Sequence, residues 1–365
     1  MLSPLHAFPH VLTDLSACER MASSPEVAIS PPALAVVGCG AIAERFHLPA
    51  LIRSPDVRNR LILVDRDAAR AATMARQFGV QRIAADFRDV LGEVQGVVLA
   101  VPPRLHFPIA AACIQSKVHV LSEKPLTVTS AEVDRLVAQA AAAHVCIAVN
   151  NTRRLFPSAI RLKAMLAGGE FGEVERVEFW HGEKFDWPCA SDAYFGAKAG
   201  ARGVLADTGA HVLDLVCWWL GGKPVVTNYA DDSFGGTEAV ADISGRLGGT
   251  EVHVRLSWLS RLENVYRIAT ERGTIEGGIY ESRSFTVTDP RGRRRTIHAA
   301  RGAGAYSDLA NTLLDNFVEV VQGRAAPLVS GADVAPSIHL IDECYAQRRR
   351  FVMPWHDTFS RYANA

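Results

Sequence analysis

Three short segments of this chain carry residue types that could together move a proton and a hydride. The first is a glycine turn, Gly38-Cys39-Gly40-Ala41-Ile42-Ala43. The second is Glu123-Lys124-Pro125. The third runs from Gly203 to Gly221 and holds Asp207, His211 and Asp214. An ammonium such as that of Lys124 can hydrogen-bond a substrate hydroxyl and stabilise the charge that grows on its oxygen as a hydride departs. A histidine beside a carboxylate is a general base held in one tautomer. If the third segment is helical, Asp207 and His211 share a face one turn apart. Asp207 is therefore expected to orient His211, and Lys124, Asp207 and His211 form the expected catalytic set.

A hydride needs a carrier, and the glycine turn is the cradle for one. Gly38-x-Gly40-x-x-Ala43 lies between an apolar run and a helix-like stretch, the context that gives this pattern meaning. Gly38 permits the tight turn, and Gly40 lets a pyrophosphate approach the backbone. Ala43 stands at the third glycine position and still permits close packing. Ala41 and Ile42 open a helix whose first amides suit a phosphate. Asp65 ends the next strand, where its carboxylate can accept from both ribose hydroxyls and would repel a 2′-phosphate. NAD is thus expected rather than NADP, although Arg66 follows at once and could soften that choice. Ala100, Val101 and Pro102 sit at the carboxyl end of a further strand, the edge where such sheets bind ligands. His106, Glu123 and Lys124 complete the expected cofactor residues.

The elements that must position these groups follow from the apolar pattern. Short apolar runs at Ala33–Val37, Leu61–Val64, Gly96–Val101, Val118–Leu121 and Val145–Val149 read as buried strands. Helical stretches at Ala41–Ile52, Ala68–Gln77, Ile109–Gln115 and Ala131–Ala143 separate them. Strand and helix in alternation demand right-handed crossovers and a doubly wound parallel sheet, a Rossmann arrangement. After Asn150 the pattern changes. Helices are expected at Pro157–Ala167 and Leu205–Leu220, then mostly strands from Pro224 to about His298, then helices at Tyr306–Gln322 and Ala332–Arg348. Strands in succession imply a large, mainly antiparallel sheet in an α+β domain. The expected divisions are an extension over 1–30, a dinucleotide-binding domain over 31–150, a substrate and oligomerisation domain over 151–353, and a tail over 354–365. The sheet strands carry Val240, Ile243, Val252, Val254 and Leu256, with Trp258 at one end. An open face bearing such side chains would need a partner copy to bury it.

Composition excludes several classes. The chain has 365 residues, with Lys+Arg and Asp+Glu both at 39, so no net charge draws it to nucleic acid or an anionic membrane. Arg291-Gly292-Arg293-Arg294-Arg295 is a local basic run, read as a solvated hairpin turn. The seven cysteines are scattered without a C-x-x-C pair, so neither a disulfide framework nor a metal site is expected. No apolar stretch is long and clean enough to span a bilayer. Residues 1–19 hold no Lys or Arg and make a poor signal peptide, Met21 could be an alternative start, and a reducing cytoplasm fits the cysteine usage.

Taken in order, Gly38–Ala43, the Leu99–Pro103 turn, Glu123-Lys124-Pro125 and the Gly203–Gly221 segment resemble the Gfo/Idh/MocA oxidoreductases. That family includes glucose-fructose oxidoreductase and inositol dehydrogenases, and the resemblance covers about residues 33–350. It implies that Lys124, Asp207 and His211 act on a hydroxyl of a sugar, sugar derivative or cyclitol. It also implies that Asn151, Arg153 and Arg154 open the second domain, with Asn151 and Arg154 toward substrate, and that the C-terminal sheet joins a homodimer or homotetramer. Trp187 and Tyr194, in the loop before the catalytic helix, could face a sugar's apolar side; packing the loop down explains Trp187 and Phe185 equally well. Two other functions share the frame: a glycosidase or lyase that oxidises its substrate transiently, and a non-catalytic cofactor sensor.

Overall fold

The structure is a computed structural model that describes residues 31–188, 202–233, 237–299 and 306–352. Its first half alternates strand and helix. β1 (Leu34–Val37) is buried throughout. It leads through the glycine turn into a π-helical turn (Ala43–His47) and then α1 (Leu48–Leu51). Next come α2 (Pro55–Asn59), β2 (Leu61–Val64), α3 (Ala68–Phe78), β3 (Arg82–Ala84) and β4 (Gly96–Leu99). α4 (His106–Gln115), β5 (His119–Ser122), α5 (Ser130–Ala143) and β6 (Ile147–Val149) complete it.

These strands form a six-stranded sheet in the order β3-β2-β1-β4-β5-β6, every pairing parallel. Runs such as Leu61-Ile62-Leu63-Val64, buried on both faces, are what helices on both sides of a parallel sheet require. Local signals set the helix ends. Asp67 caps α3 and Gly79 closes it in a left-handed turn. Thr129 and Glu132 make a capping box for α5. Two details differ from the sequence reading. The helix expected over Ala41–Ile52 is interrupted by the π-helical turn. The edge strand β3 carries no apolar run, since Arg82 and Ile83 are exposed.

The second half continues with α6 (Pro157–Ala167), β7 (Val174–Gly182), α7 (Val204–Leu220), β8 (Val225–Asp231), β9 (Val240–Leu247) and β10 (Thr250–Ser257). β11 (Val265–Thr270), β12 (Gly273–Gly278), β13 (Ser284–Thr288), β14 (Arg294–His298), α8 (Tyr306–Val321), α9 (Gly331–Ala346) and β15 (Arg349–Arg350) follow. The nine-stranded sheet runs β14-β13-β12-β11-β7-β10-β9-β8-β15. Only β7–β10 and β8–β15 pair in parallel among its described strands. It is the large, mainly antiparallel sheet the sequence implies.

The apolar open face expected of this sheet is not there. Ile243, Val252, Val254, Leu256 and Trp258 point inward to the core shared with α6 and α7, and only Val240 of that set is half-exposed on the other side. A period of two sends their neighbours outward. The outer face is therefore laddered with charge: Arg176 and Arg246 on Glu251, Arg255 on Asp242, Arg267 on Glu276. The basic run forms the β13–β14 hairpin, with Arg291 and Arg293 in the turn around Asp289 and Arg294 and Arg295 in β14.

The last two long helices serve both halves. Leu314 and Phe317 of α8 pack with Leu34 and Leu61 against the parallel sheet. In α9, Val334 and Ile338 join the parallel-sheet core, while Leu340, Ile341 and Cys344 join the other. Phe317 is fully buried. We expect Phe317→Ala to destabilise the protein by about 3–5 kcal/mol, read from chemical denaturation. A loss under about 1 kcal/mol would show that α8 is not part of the first core.

Candidate active site

The glycine turn is built by contact as much as by flexibility. Gly38 has φ +98°, and a Cβ there would lie 2.4 Å from the carbonyl oxygen of Ala100. Only glycine lets β1 end against the β4 turn in this way. A Cβ on Gly40 would find its nearest neighbour at 3.9 Å, so protein packing does not require that glycine. The room it leaves faces a cleft of about 1260 Å³ lined by Gly38, Gly40, Ala41 and Ile42. A pyrophosphate fits that space, beside the amides that open the helix. Asp65 reaches back to the turn. Its Oδ2 accepts from the Cys39 amide at 2.8 Å and its Oδ1 from the Asp67 amide at 2.9 Å. Asp65 and Arg66 line the cleft, with Arg70 and Arg88 beside them.

Ala100, Val101 and Pro102 form a wall of the same cleft. His106 does not reach it. The residue is wholly buried, and its ring nitrogens lie 2.8 Å from the carbonyl of Pro125 and 2.9 Å from that of Val101. His106 thus braces the wall against the Glu123-Lys124-Pro125 loop from behind. Glu123 faces the cleft but is held from below by Asn150 Nδ2 at 2.6 Å and by His47 Nε2 at 2.9 Å. Burial alone would push the Glu123 carboxyl up; His47 and Asn150 hold it below the ordinary range.

Lys124, Asp207 and His211 all line this cleft. The pairing among them differs from the sequence reading. Asp207 turns across the cleft to Lys124: Nζ donates to Asp207 Oδ1 at 2.5 Å and to the Asp207 carbonyl at 3.1 Å. The Nδ1 of His211 instead meets Asn151 Oδ1 at 3.2 Å. A shared helix face allowed an Asp207–His211 pair; the cation across the cleft is the stronger partner. Burial pushes the His211 imidazole well below its usual value, and the charges of Lys124 and Arg153 push the same way.

The start of α7 is fixed from outside the helix. Glu238 accepts from the amides of Gly203 at 2.9 Å and Leu205 at 3.2 Å. Tyr345 and Arg348 donate to the same carboxylate at 2.6 and 2.9 Å. A Cβ on Gly203 would lie 1.9 Å from the Glu238 carbonyl oxygen. Nothing in the sequence announces this distant cap.

Asn151 and Arg154, expected toward substrate, are buried and do not line the cleft. Arg154 donates to both oxygens of Asp214 at 2.7 Å and to the Asp333 carbonyl at 2.6 Å. Its guanidinium is a tie between α7 and α9. Trp187 lines the cleft with Arg45 over its ring at 4.9 Å, and Phe185 packs on Trp258. Tyr194 lies outside the described residues. In place of Asn151 and Arg154 the cleft presents Arg153, His181 and Tyr280. Arg153 approaches His181 Nδ1 at 3.5 Å, and His181 Nε2 lies 3.0 Å from the Tyr280 hydroxyl. With Nδ1 accepting, Nε2–H donates to Tyr280, whose own proton can then serve a ligand. His181 closes an alternating strand and Tyr280 follows one in a turn, so no spacing pointed to either. Among the described residues no cluster could hold a metal ion, and no helix is long and apolar enough to cross a membrane.

Residues 33–151 match an oxidoreductase family described as an NAD-binding Rossmann fold. Residues 159–276 match the GFO/IDH/MocA C-terminal domain. The chain is 24% identical over 312 residues to dTDP-3,4-didehydro-2,6-dideoxy-alpha-D-glucose 3-reductase of Saccharopolyspora spinosa, covering 83% of this chain and 90% of that one. Inositol dehydrogenases and a UDP-N-acetylglucosamine 3-dehydrogenase align over only about half of their own length. The fold is similar to a 3-ketoreductase from Actinomadura kijaniata in complex with NADP and TDP-benzene, with TM-score 0.76 and 20% identity over 89% of this chain and 100% of that one. It is also similar to levoglucosan dehydrogenase in complex with NADH and levoglucosan, with TM-score 0.75 and 18% identity over 86% and 96% of the two chains.

His181 makes the site sensitive to acid. Burial first, then the charges of Arg153 and Lys124, push its imidazole down to about 2. The unfolded chain binds that proton at its ordinary value near 6.5, whereas the folded chain stays neutral. Stability is therefore complete above about pH 6.5 and falls as the pH drops below it, by about 1.4 kcal/mol per pH unit for each such histidine. Urea titrations between pH 7 and 5 should show this slope, and His181→Asn should lower it by about one proton. An unchanged slope in the variant would mean that His181 is already charged in the folded protein.

Proposed function

We propose that this chain, which belongs to the Gfo/Idh/MocA oxidoreductases, moves a hydride between NAD and a hydroxyl-bearing carbon of a sugar, sugar derivative or cyclitol. The observation that carries this reading is the meeting of Lys124, Asp207 and His211 in the cleft that also holds the glycine turn. The relatives' names support the substrate class. A nicotinamide, when bound, supplies hydride acceptance and return. The protein supplies the rest. His211 takes the hydroxyl proton, Lys124 polarises the oxygen, and Asp207 keeps Lys124 placed. In ketone reduction the same groups act in reverse. The pair His181–Tyr280 offers polar groups to a sugar's hydroxyls, and the ring of Trp187, which lines the same cleft, offers its apolar face a surface.

His211→Ala and Lys124→Ala should each lower kcat by about two orders of magnitude or more while NAD still binds, because general acid–base and electrostatic contributions are of that size. Near-normal turnover in both variants, followed by NADH absorbance across a panel of sugars and cyclitols, would sink the reading.

The choice of NAD rests on Asp65. Its carboxylate holds two backbone amides and still has lone pairs for ribose hydroxyls. Asp65→Ser should raise kcat/KM with NADP relative to NAD, since Arg66, Arg70 and Arg88 can then meet a 2′-phosphate. It should also weaken NAD binding, because the Cys39 amide loses its acceptor. A wild-type preference for NADP would contradict the role given to Asp65.

A homodimer or homotetramer joined through the outer face of the nine-stranded sheet is the assembly the family suggests. The face is laddered with charge, so such an assembly would be held by complementary pairs more than by apolar burial. Light scattering should find an oligomer at micromolar concentration that weakens toward about 1 M salt, where the screening length is about 3 Å. A monomer at low salt would reject this assembly.

A further inference from the structure

We propose that Asn151 sets the working tautomer of His211, leaving Nε2 as the basic nitrogen while adding no charge that would hold the ring protonated. Asn151 is thus a positioning residue, and the inference rests on the reading of His211 as the general base. The geometry is specific. Asn151 Oδ1 lies 3.2 Å from His211 Nδ1. A carbonyl oxygen only accepts, so Nδ1 carries the proton and the lone pair is on Nε2. Nε2 has no hydrogen-bond partner among the described residues, and His211 lines the cleft.

Asn151 is well placed to impose this. It is 2% exposed, its backbone N–H donates to the Val149 carbonyl at 2.8 Å, and its backbone carbonyl accepts from the Arg154 backbone N–H at 3.1 Å. Arg154 is in turn locked to Asp214 on the helix that carries His211. The segment after β6 and α7 are therefore in fixed register, and Asn151 and His211 meet within that register.

A carboxylate in this position would fix the same tautomer but would also stabilise the imidazolium. An amide does only the first. The other charged and titratable groups around His211 are Lys124 from the β5 loop, Arg153 from the turn after β6 and His181 from β7. Asp207, on its own helix, faces Lys124, and Asp214 faces Arg154. No described carboxylate meets the ring. Burial and these neighbouring charges lower the ring's proton affinity, and Lys124 offsets the lost basicity by stabilising the substrate oxygen.

Two measurements test this. In the wild-type protein with labelled histidine, nitrogen NMR should find His211 protonated at Nδ1 and bare at Nε2. The reverse tautomer, as an amide turned with Nδ2 to the ring would give, overturns the proposal, and this readout needs no activity. In the near-isosteric Asn151→Asp variant, the acid limb of kcat/KM against pH should move up by about one unit or more, since a carboxylate within hydrogen-bond reach favours the charged ring. A melting temperature near that of the wild type confirms that the variant is folded. An unmoved limb in a folded, active variant overturns the proposal while the loss of activity in His211→Ala stands. Full turnover in His211→Ala would instead remove the reading of His211 as base, with the tautomer still decided by NMR.

Discussion

The ammonium of Lys124 has to be held at one point on the edge of the parallel sheet, and it is held from the other half of the chain. Asp207 binds it through both its carboxylate and its carbonyl. That double contact fixes the first turn of α7 as well as the lysine, because a backbone carbonyl cannot move without its helix. The rest of the site hangs from this register. Glu238 supplies the missing acceptor for the start of α7, and Tyr345 and Arg348 hold Glu238. Arg154 on Asp214 ties the next turns of the helix to the segment that follows β6. His211 sits between these anchors.

The polar groups below the cleft work by satisfaction rather than by exposure. His106 packs between two loops and donates its single N–H to one of their carbonyls, and Glu123 accepts from Asn150. A buried polar group costs free energy unless it is paired. Here the pairing also fixes where the cleft wall stands. The π-helical turn at Ala43–His47 contributes, since it ends at His47, whose ring reaches Glu123. Such a locally widened, underwound turn recurs at functional sites.

Much of the architecture was legible from period and punctuation. Apolar runs ended by Gly38, Asp65 or Pro102 became the parallel strands, and the glycine turn lay where a strand meets a helix. The cleft residues at carboxyl edges, Gly40, Asp65, Val101 and Lys124 among them, were legible for the same reason. What stayed hidden depends on side-chain choices between partners that spacing alone permits. Asp207 could have turned to His211 or to Lys124, and only the fold brings the ammonium within reach. Arg154 looked free to meet a ligand until Asp214 was placed opposite it. Alternation in β9 and β10 was visible, but which face met the helices was not, so the open face was given the wrong set of residues. His181 and Tyr280 meet only because β7 and the turn after β12 converge.

The helices α8 and α9 have a consequence for how this chain comes off the ribosome. Leu34 and Leu61 emerge early, yet Phe317 and Leu314, which cover them, are made some hundreds of residues later. Gly96 shows how closely that cover fits: a Cβ there would lie 2.8 Å from Val321 and 2.9 Å from Leu34. Until α8 is synthesised, one face of the parallel sheet has an apolar strip open to water, with pairing across a long stretch of sequence still to come. The nascent first half is thus a natural client for a chaperone, and a protein truncated before α8 would be expected to aggregate rather than to bind nucleotide.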